Sequence, residues 1–464
     1  MTNKHIIIIG LGVGGFSALM AAKKTSPEAE ITIIEKRGYD MFSPCGLPFV
    51  IEGIIPDPED LIHKIPTDSM GVKKLLNHEA TSIDVNNKTV SVKDLGTGSE
   101  NIIEFDSLIM APGSKPFIPP IPGAKELLQK GVFTVSCPED TAQVLQAAKG
   151  KKHAVVMGAG PIGLEVATAL KALGLDVTVV ELLDWVFPKA IDKDMAAIIE
   201  KSLKTEGFQL IMGKGLEKVI GRDYIESVIV DGKTINTDLL VAASGVKSDL
   251  SLGQEAGLHL GRFGITTDMR MMTTARDVYA AGDSIEVTNP ISHRPWVSQL
   301  ANSAYRQGTV AGTNAAGGYA TYEGSVTTFV SFVNGIEVAA TGFNTFFAKI
   351  YGFEIIGAKA KGKTRPDWYP GGEDISVKVL ADASSGKLLG AQAIGSGAAS
   401  RINVVACALK GGLTVHELSE LELAYCPAVS ETYDVLTKAC DFLLRKLKKQ
   451  SLHGFVQTVQ NYIC

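Results

Sequence analysis

Paired cysteines are missing from this chain. Its six cysteines are Cys45, Cys137, Cys407, Cys426, Cys440 and Cys464, so no two have C-x-x-C spacing, and no cysteine–histidine cluster has the spacing of a zinc site. That argues against a disulfide-stapled scaffold and a metal centre, and leaves scattered thiols of the kind kept reduced inside cells. A basic excess is missing too. Lys plus Arg number 45 against 50 Asp plus Glu, a formal charge of −5, which argues against a nucleic-acid surface. No run of about 20 apolar residues offers a membrane span. The apolar stretch from Ile6 to Ala22 is interrupted by Gly10, Gly12, Gly14 and Gly15 and lacks a cleavage site, so it does not read as a secretory signal. The expectations are a cytoplasmic protein with no nucleic-acid partner, no membrane association and no metal. Glycine, by contrast, is abundant: 48 of 464 residues, with no triplet period. Dispersed glycine points to tight turns and close approach of backbone to a ligand. The length suggests two to four domains at roughly 100–200 residues each.

The glycines have a pattern. Ile6–Ile9 is a continuous apolar run, as in a strand buried on both faces. Gly10-x-Gly12-x-x-Gly15 follows, then a helical stretch over Phe16–Lys24, then the apolar run Ile31–Ile34 ending in Glu35. A glycine loop between strand and helix, with an acidic residue 20 positions after its last glycine, is a dinucleotide-binding unit. Gly10 permits the turn, Gly12 lets a pyrophosphate approach the helix N-terminus, and Glu35 can accept ribose hydroxyls. The unit recurs. Val155–Met157 precedes Gly158-x-Gly160-Pro-Ile162-Gly163, and Glu181 closes the next strand 18 residues after Gly163. Leu182 and Leu183 follow Glu181 where a basic residue would be needed to hold a 2′-phosphate, so this second site should prefer NADH to NADPH.

Two such units in this order resemble the two-dinucleotide flavoprotein disulfide reductases, the pyridine nucleotide-disulfide oxidoreductase family. Three further segments carry the resemblance: FDSLIMAPGSKP around Ala111, Pro112 and Gly113; TDLLVAASGVKSD with Gly245; and TTARDVYAAGDSIEV with Asp283. The resemblance implies an α/β chain with two Rossmann-like dinucleotide-binding domains and an α+β C-terminal dimerisation domain. It implies FAD in the first unit, with Asp283 at its ribityl–phosphate region, and NADH in the second. The implied domains are 1–115 with 250–325 for FAD, 116–249 for NAD(P)H, and 326–446 for the homodimer interface, leaving a tail at 447–464 unassigned. Within the interface domain, DISVKVLAD and KLLGAQAIG read as a hairpin around Ser384-Ser385-Gly386. Helices are expected over SRINVVACALKGG and from Val429 to Lys446.

The segment DMFSPCGLPF holds one cysteine, Cys45, where dithiol reductases carry two. A single thiol cannot store two electrons as its own disulfide. It must form a mixed disulfide, a persulfide or a sulfenic acid. Its position resembles the redox cysteine of the single-cysteine subgroup, which comprises coenzyme A-disulfide reductases, CoA-persulfide reductases, water-forming NADH oxidases and NADH peroxidases. In that subgroup the oxidases and peroxidases have a histidine inside the first glycine loop, where this chain has Val13. The CoA-disulfide reductases carry two tyrosines on the partner subunit, matched here by Tyr369 in DWYPGG and Tyr425 in LELAYCPAVS. Asn302 and Arg306 share a helix face and resemble CoA-contacting positions. Pro44 stands where an asparagine is usual, which leaves room for a persulfide or polysulfide acceptor. The reading is an NAD(P)H-dependent enzyme reducing a CoA disulfide or CoA persulfide. Its catalytic residues would be Cys45, Tyr425 and Tyr369. The alternatives are a water-forming NADH oxidase and an electron-transfer reductase for a small redox protein.

Overall fold

Ile6, Ile7, Ile8 and Ile9 are all buried, as an uninterrupted β-branched run should be when both faces of its strand are covered. In the computed structural model, which describes the backbone of residues 4–463 and the side chains of residues 4–450, this run forms the strand His5–Ile9. Cys464, to which no role is assigned, lies outside the described residues. The chain forms two compact units. One comprises the chain up to Phe117 with Val135–Ala142 and Gly245–Ser325; the other comprises Ile118–Thr134, Gln143–Ser244 and the chain from Val326 on.

The first unit is built on a five-stranded parallel sheet. Its order is Val278–Ala280, Ser107–Met110, His5–Ile9, Glu30–Glu35 and Val72–Leu76. The helix Val13–Thr25 starts three residues before the expected Phe16, because Gly12 is its N-cap and Gly14 and Gly15 are helical. The missing side chain of Gly15 lets the helix press on the turn that ends the strand. A second helix, Ala301–Ala315, packs along the first through Gly308; a Cβ there would come within 2.1 Å of the Gly14 carbonyl oxygen.

The second unit repeats the parallel design. Its sheet runs Gln209–Met212, Asp176–Glu181, His153–Met157, Leu239–Ala242 and Val132–Phe133, again with the opening strand of the nucleotide motif in the middle. Val155, Met157, Val180 and Leu240 share one apolar core with Leu216, Ile225 and Val228. The same unit holds an antiparallel five-stranded sheet in the order Phe329–Val333, Ile336–Gly342, Leu388–Gly395, Asp374–Asp382, Ile355–Lys363. Asp374–Asp382 and Leu388–Gly395 form the expected hairpin. Asp382 Oδ2 holds its turn by accepting from Ser384 Oγ and from Ser385 N and Oγ. Two α/β layers with parallel sheets and an α+β C-terminal layer are the architecture the motifs imply.

Helix Ala398–Lys410 lies where expected. The last helix does not begin at Val429 but at Val435, and it runs to Ile463 through the segment left unassigned from sequence. Asp434 sets its start: the carboxylate accepts the Leu436 N–H at 2.9 Å and pairs with Arg401 at 2.7 Å.

Candidate functional site

The two glycine turns superimpose in their chemistry. Gly10 (φ +89°) and Gly158 (φ +108°) take the left-handed conformation, and each donates its N–H to the end of the neighbouring strand, at Ile34 O (2.9 Å) and Val180 O (2.8 Å). A Cβ on Gly10 would meet Ala111 O at 2.2 Å, and one on Gly158 would meet Ala243 O at 2.4 Å. Gly15 and Gly163 bring helix onto turn, with their would-be Cβ atoms 1.9 and 2.0 Å from the carbonyl oxygens of Gly10 and Gly158. Gly12 and Gly160 are different: a Cβ on either meets nothing within 4 Å. These two are open on the side a ligand would approach, and each is the N-cap of a helix with no acidic residue in its first turn. Such a cradle suits a pyrophosphate. Ile162, in the second turn, is 44% exposed.

The acidic residues that close the two units differ. Glu181 accepts the N–H groups of Ala159 (2.8 Å) and Leu183 (2.9 Å), which leaves about half of its lone pairs for ribose hydroxyls. Its exposed neighbours Leu182 and Leu183 offer no cation, and the nearby Lys214 ammonium is spent on Asp231 at 2.7 Å. Glu35 is buried and accepts four donors: Leu11 N at 2.7 Å, Arg37 N at 2.9 Å, Arg37 Nε at 2.8 Å and Arg37 Nη2 at 2.9 Å. Burial works against its charge, but the Arg37 guanidinium and the two N–H groups outweigh that and hold the carboxyl below its ordinary range. Ribose hydroxyls, the expected partners of Glu35, would meet a carboxylate that already holds the Arg37 side chain. Arg37 escaped the sequence reading because only the folded pocket, with Tyr39 and Phe42 rings 5.4 and 5.1 Å from the guanidinium, turns it inward.

Around Asp283 the predicted residues do converge. Asp283 accepts from Ser114 Oγ at 2.7 Å, while its carbonyl accepts from Ser248 Oγ at 2.6 Å. Burial pushes its carboxyl up. Gly113 and Gly245 sit at the ends of the short antiparallel pair Ser114–Pro116 and Val246–Ser248. The Gly113 carbonyl accepts Asp249 N, and the Gly245 carbonyl accepts Phe117 N. Pro112 lies between Ala111 and Gly113 at the head of that pair. Gln307, fully buried, accepts the Gly282 N–H at 2.8 Å and leaves its Nε2 with no hydrogen-bond partner among the described residues, as does Ser284 Oγ. Unmet buried donors beside a half-buried carboxyl, with an open glycine turn in the same unit, fit the phosphates and hydroxyls of an FAD. Asp283→Ala should weaken flavin retention roughly ten- to hundredfold, the worth of a hydrogen bond to a charged group. Flavin absorbance of the dialysed protein checks this.

Cys45 is exposed in the short turn Pro44–Gly46, directly before the helix Leu47–Glu52. The turn is fastened to the chain around Leu61: Ser43 N donates to Leu61 O at 2.9 Å, Ser43 Oγ and His63 Nε2 are 2.7 Å apart, and Gly46 packs on Leu61. Two other thiols are unlike it. Burial pushes Cys137 and Cys440 up to about 12, so both stay protonated and are poor nucleophiles. Asn302 and Arg306 are exposed on the first turns of helix Ala301–Ala315, four residues apart as predicted, with Arg306 over the Tyr305 ring at 5.7 Å. Tyr425 is 47% exposed, in a loop closed by Ser430 Oγ bonds to Ala424 O and Cys426 N. Tyr369 lies in the loop between Ile355–Lys363 and Asp374–Asp382. One acidic residue went unnoticed in the sequence: Glu165, two positions past Gly163. Burial pushes its carboxyl up, and it accepts Ser331 Oγ at 2.6 Å. The signal was an acid on an otherwise apolar helix face.

Residues 4–308 match the family described as pyridine nucleotide-disulphide oxidoreductase, and residues 329–436 match that family's dimerisation domain. An NADH oxidase of Methanocaldococcus jannaschii is 37% identical over 449 residues, covering 96% of this chain and 99% of its own length. An NAD(P)H coenzyme A polysulfide/persulfide reductase of Pyrococcus horikoshii is 33% identical over 441 residues, covering 94% of this chain and 97% of its own. The solved structure of an NAD-dependent persulfide reductase from A. fulgidus is similar at a TM-score of 0.91 and 31% identity, over 96% of this chain and 84% of that one.

Proposed function

Since this chain belongs to the pyridine nucleotide-disulphide oxidoreductase family and is an NAD(P)H-dependent flavoprotein reductase, we propose that it reduces a coenzyme A disulfide or persulfide through Cys45. The observation that carries the reading is the contrast among its thiols. Cys45 is exposed on a short turn before a helix in the unit that carries the first glycine turn, whereas Cys137 and Cys440 are pushed up to about 12 by burial and the exposed Cys407 and Cys426 belong to the other unit. The names of the Pyrococcus and A. fulgidus relatives support the sulfur acceptor.

In this reading residues 1–115 with 250–325 hold FAD, 116–249 hold NAD(P)H, and 326–446 join two copies of the chain. FAD, when bound, supplies the electron pair that passes from the nicotinamide to sulfur. Gly10, Gly12, Gly15, Glu35, Ala111, Pro112, Gly113 and Asp283 hold and orient it. Gly158, Gly160, Ile162, Gly163, Glu181 and Gly245 do the same for the nicotinamide nucleotide. The Cys45 thiolate attacks one sulfur of a CoA disulfide, or the outer sulfur of a CoA persulfide; the sulfur–sulfur bond breaks and CoA leaves as a thiolate. Cys45 is left in a mixed disulfide with the second CoA or as a persulfide, which the electron pair from the nicotinamide then returns to the thiolate with release of CoA or sulfide. Tyr425 and Tyr369, contributed by the second copy of the chain, give the departing CoA thiolate a proton in this reading. Asn302 and Arg306 meet the anionic CoA handle. The exposed Trp368, Tyr425, Val429, Tyr433 and Phe442 in the C-terminal part of the chain are the surface a second copy would cover. Thiol chemistry of this kind belongs in a reducing compartment, the cytoplasm. No helix among the described residues is long and apolar enough to cross a membrane.

A second reading, the water-forming NADH oxidase, is favoured by the name of the M. jannaschii relative. Against it stands Val13, the first residue of its helix, where the oxidases place an imidazole. Anaerobic NADH oxidation with CoA disulfide, CoA persulfide, polysulfide, cystine and peroxide in parallel separates the two. CoA-linked acceptors should support turnover without oxygen. Activity that appears only with oxygen or peroxide would favour the oxidase.

Glu181 makes a further prediction. NADH should exceed NADPH in kcat/KM, and Glu181→Arg should shift the ratio toward NADPH by about tenfold or more, exchanging repulsion of the 2′-phosphate for attraction. Equal use of both nucleotides by the parent would place the choice elsewhere.

A further inference from the structure

The loop that carries Tyr369 is built around an arginine. Its flanking strands end their register at Lys363 and Asp374. Thr364 N donates to Glu373 O at 2.9 Å and Glu373 N donates to Thr364 Oγ1 at 3.0 Å, which closes the base of the loop. Inside it, Tyr369 N donates to Pro366 O at 2.9 Å. Arg365 Nη1 donates to the carbonyl of Pro370 at 3.0 Å, and the guanidinium carbon stands 5.8 Å from the centre of the Tyr369 ring. The next two residues make room for it. Gly371 has φ +78°, and a Cβ there would come within 2.8 Å of Arg365 Nη1. Gly372 lies against the Arg365 backbone, its would-be Cβ 3.4 Å from the Arg365 carbonyl oxygen.

Arg365 makes no ion pair among the described residues. An arginine without a carboxylate on a surface loop ordinarily gains most by extending into water, where its charge is best solvated. Here one arm of its fork bonds the backbone one residue past Tyr369, and the guanidinium lies beside the tyrosine ring itself. These two contacts fix the phenol by both its ring and its backbone neighbour. A planar guanidinium can do this and a lysine ammonium cannot do it as well.

We propose that Arg365 is a positioning residue that aims the Tyr369 hydroxyl for proton delivery to the leaving thiolate. The proposal rests on the sulfur-reductase reading given above. Arg365 does not touch the acceptor; it acts through Tyr369.

The test is a double-mutant cycle in the full-length dimeric flavoprotein, read as kcat and KM for CoA disulfide, with NADH-dependent bleaching of the flavin as the internal control. Tyr369→Phe keeps the ring, and hence the ring contact with Arg365, but removes the hydroxyl. Arg365→Ala alone should lower kcat roughly tenfold or more, the scale of a misaimed catalytic group, with KM changed less than about twofold and bleaching unchanged. In the Tyr369→Phe background Arg365→Ala should have no further effect, because there is no hydroxyl left to aim. Arg365→Lys should fall between the parent and Arg365→Ala. An equal loss from Arg365→Ala in both backgrounds would mean that Arg365 only folds the loop, and would overturn this proposal while leaving the role of Tyr369 intact. Parental turnover by Tyr369→Phe would remove Tyr369 as a proton donor, and Arg365 with it. If Arg365→Ala fails to fold, the cycle is run with Arg365→Lys, where full additivity again overturns the proposal.

Discussion

Replacing Cys45 by serine is expected to lower turnover of CoA disulfide and persulfide by about three orders of magnitude or more, the scale seen when a catalytic nucleophile is removed. A hydroxyl of nearly the same volume keeps the turn Pro44–Gly46 intact, including the Gly46 N–H bond to Ser43 O. NADH should still bleach the flavin, and artificial dyes should still accept electrons, because neither needs the thiolate. The other described thiols offer no substitute at Cys137 or Cys440, which burial holds at about 12. Substantial sulfur turnover by Cys45→Ser would point to the exposed Cys426 or Cys407, or to a path without a thiol.

The second large effect is expected at Tyr425. A phenol that protonates the departing CoA thiolate is worth about 10²–10⁴ in rate, so Tyr425→Phe should slow sulfur turnover by that factor and leave NADH-dependent bleaching intact. Tyr425 and Cys45 are 380 residues apart in the sequence. The resemblance to the CoA-disulfide reductases implies that this tyrosine comes from the other subunit, and mixed dimers test it. Mixed dimers of Cys45→Ser chains and Tyr425→Phe chains would hold one site with both lesions and one with neither, so activity should rise above that of either parent. Demonstrated mixed dimers with no recovered activity would mean that Tyr425 acts within its own chain or not at all.

What the sequence made legible was local. A strand, a glycine turn and a helix follow each other within 30 residues, and their geometry is dictated by sterics at Gly10, Gly15, Gly158 and Gly163, where a Cβ would fall 1.9 to 2.4 Å from a carbonyl oxygen. The hairpin at Ser384-Ser385-Gly386 was equally local. The start of the last helix was not. Apolar periodicity runs back to Val429, but the start depends on Asp434 being captured by Arg401, 33 residues earlier. The state of Glu35 was hidden for the same reason. Its motif spacing is identical in kind to that of Glu181, yet one carboxylate is enclosed with Arg37 and the other remains half-exposed. Residues that act through a neighbour, such as Arg365, carry no motif. Their roles appear only once the loop is closed and the guanidinium has a carbonyl and a ring to meet.

The claim at the centre of this account is that Cys45 itself carries the acceptor's sulfur. The enzyme with its Cys45 reduced and its flavin oxidised, incubated with CoA disulfide without oxygen, then quenched in acid, digested and analysed by mass, should yield the Cys45 peptide with one CoA in mixed disulfide. Addition of NADH before the quench should remove it. An adduct on Cys426 or Cys407 instead, or steady turnover with the Cys45 peptide never modified, would contradict the account.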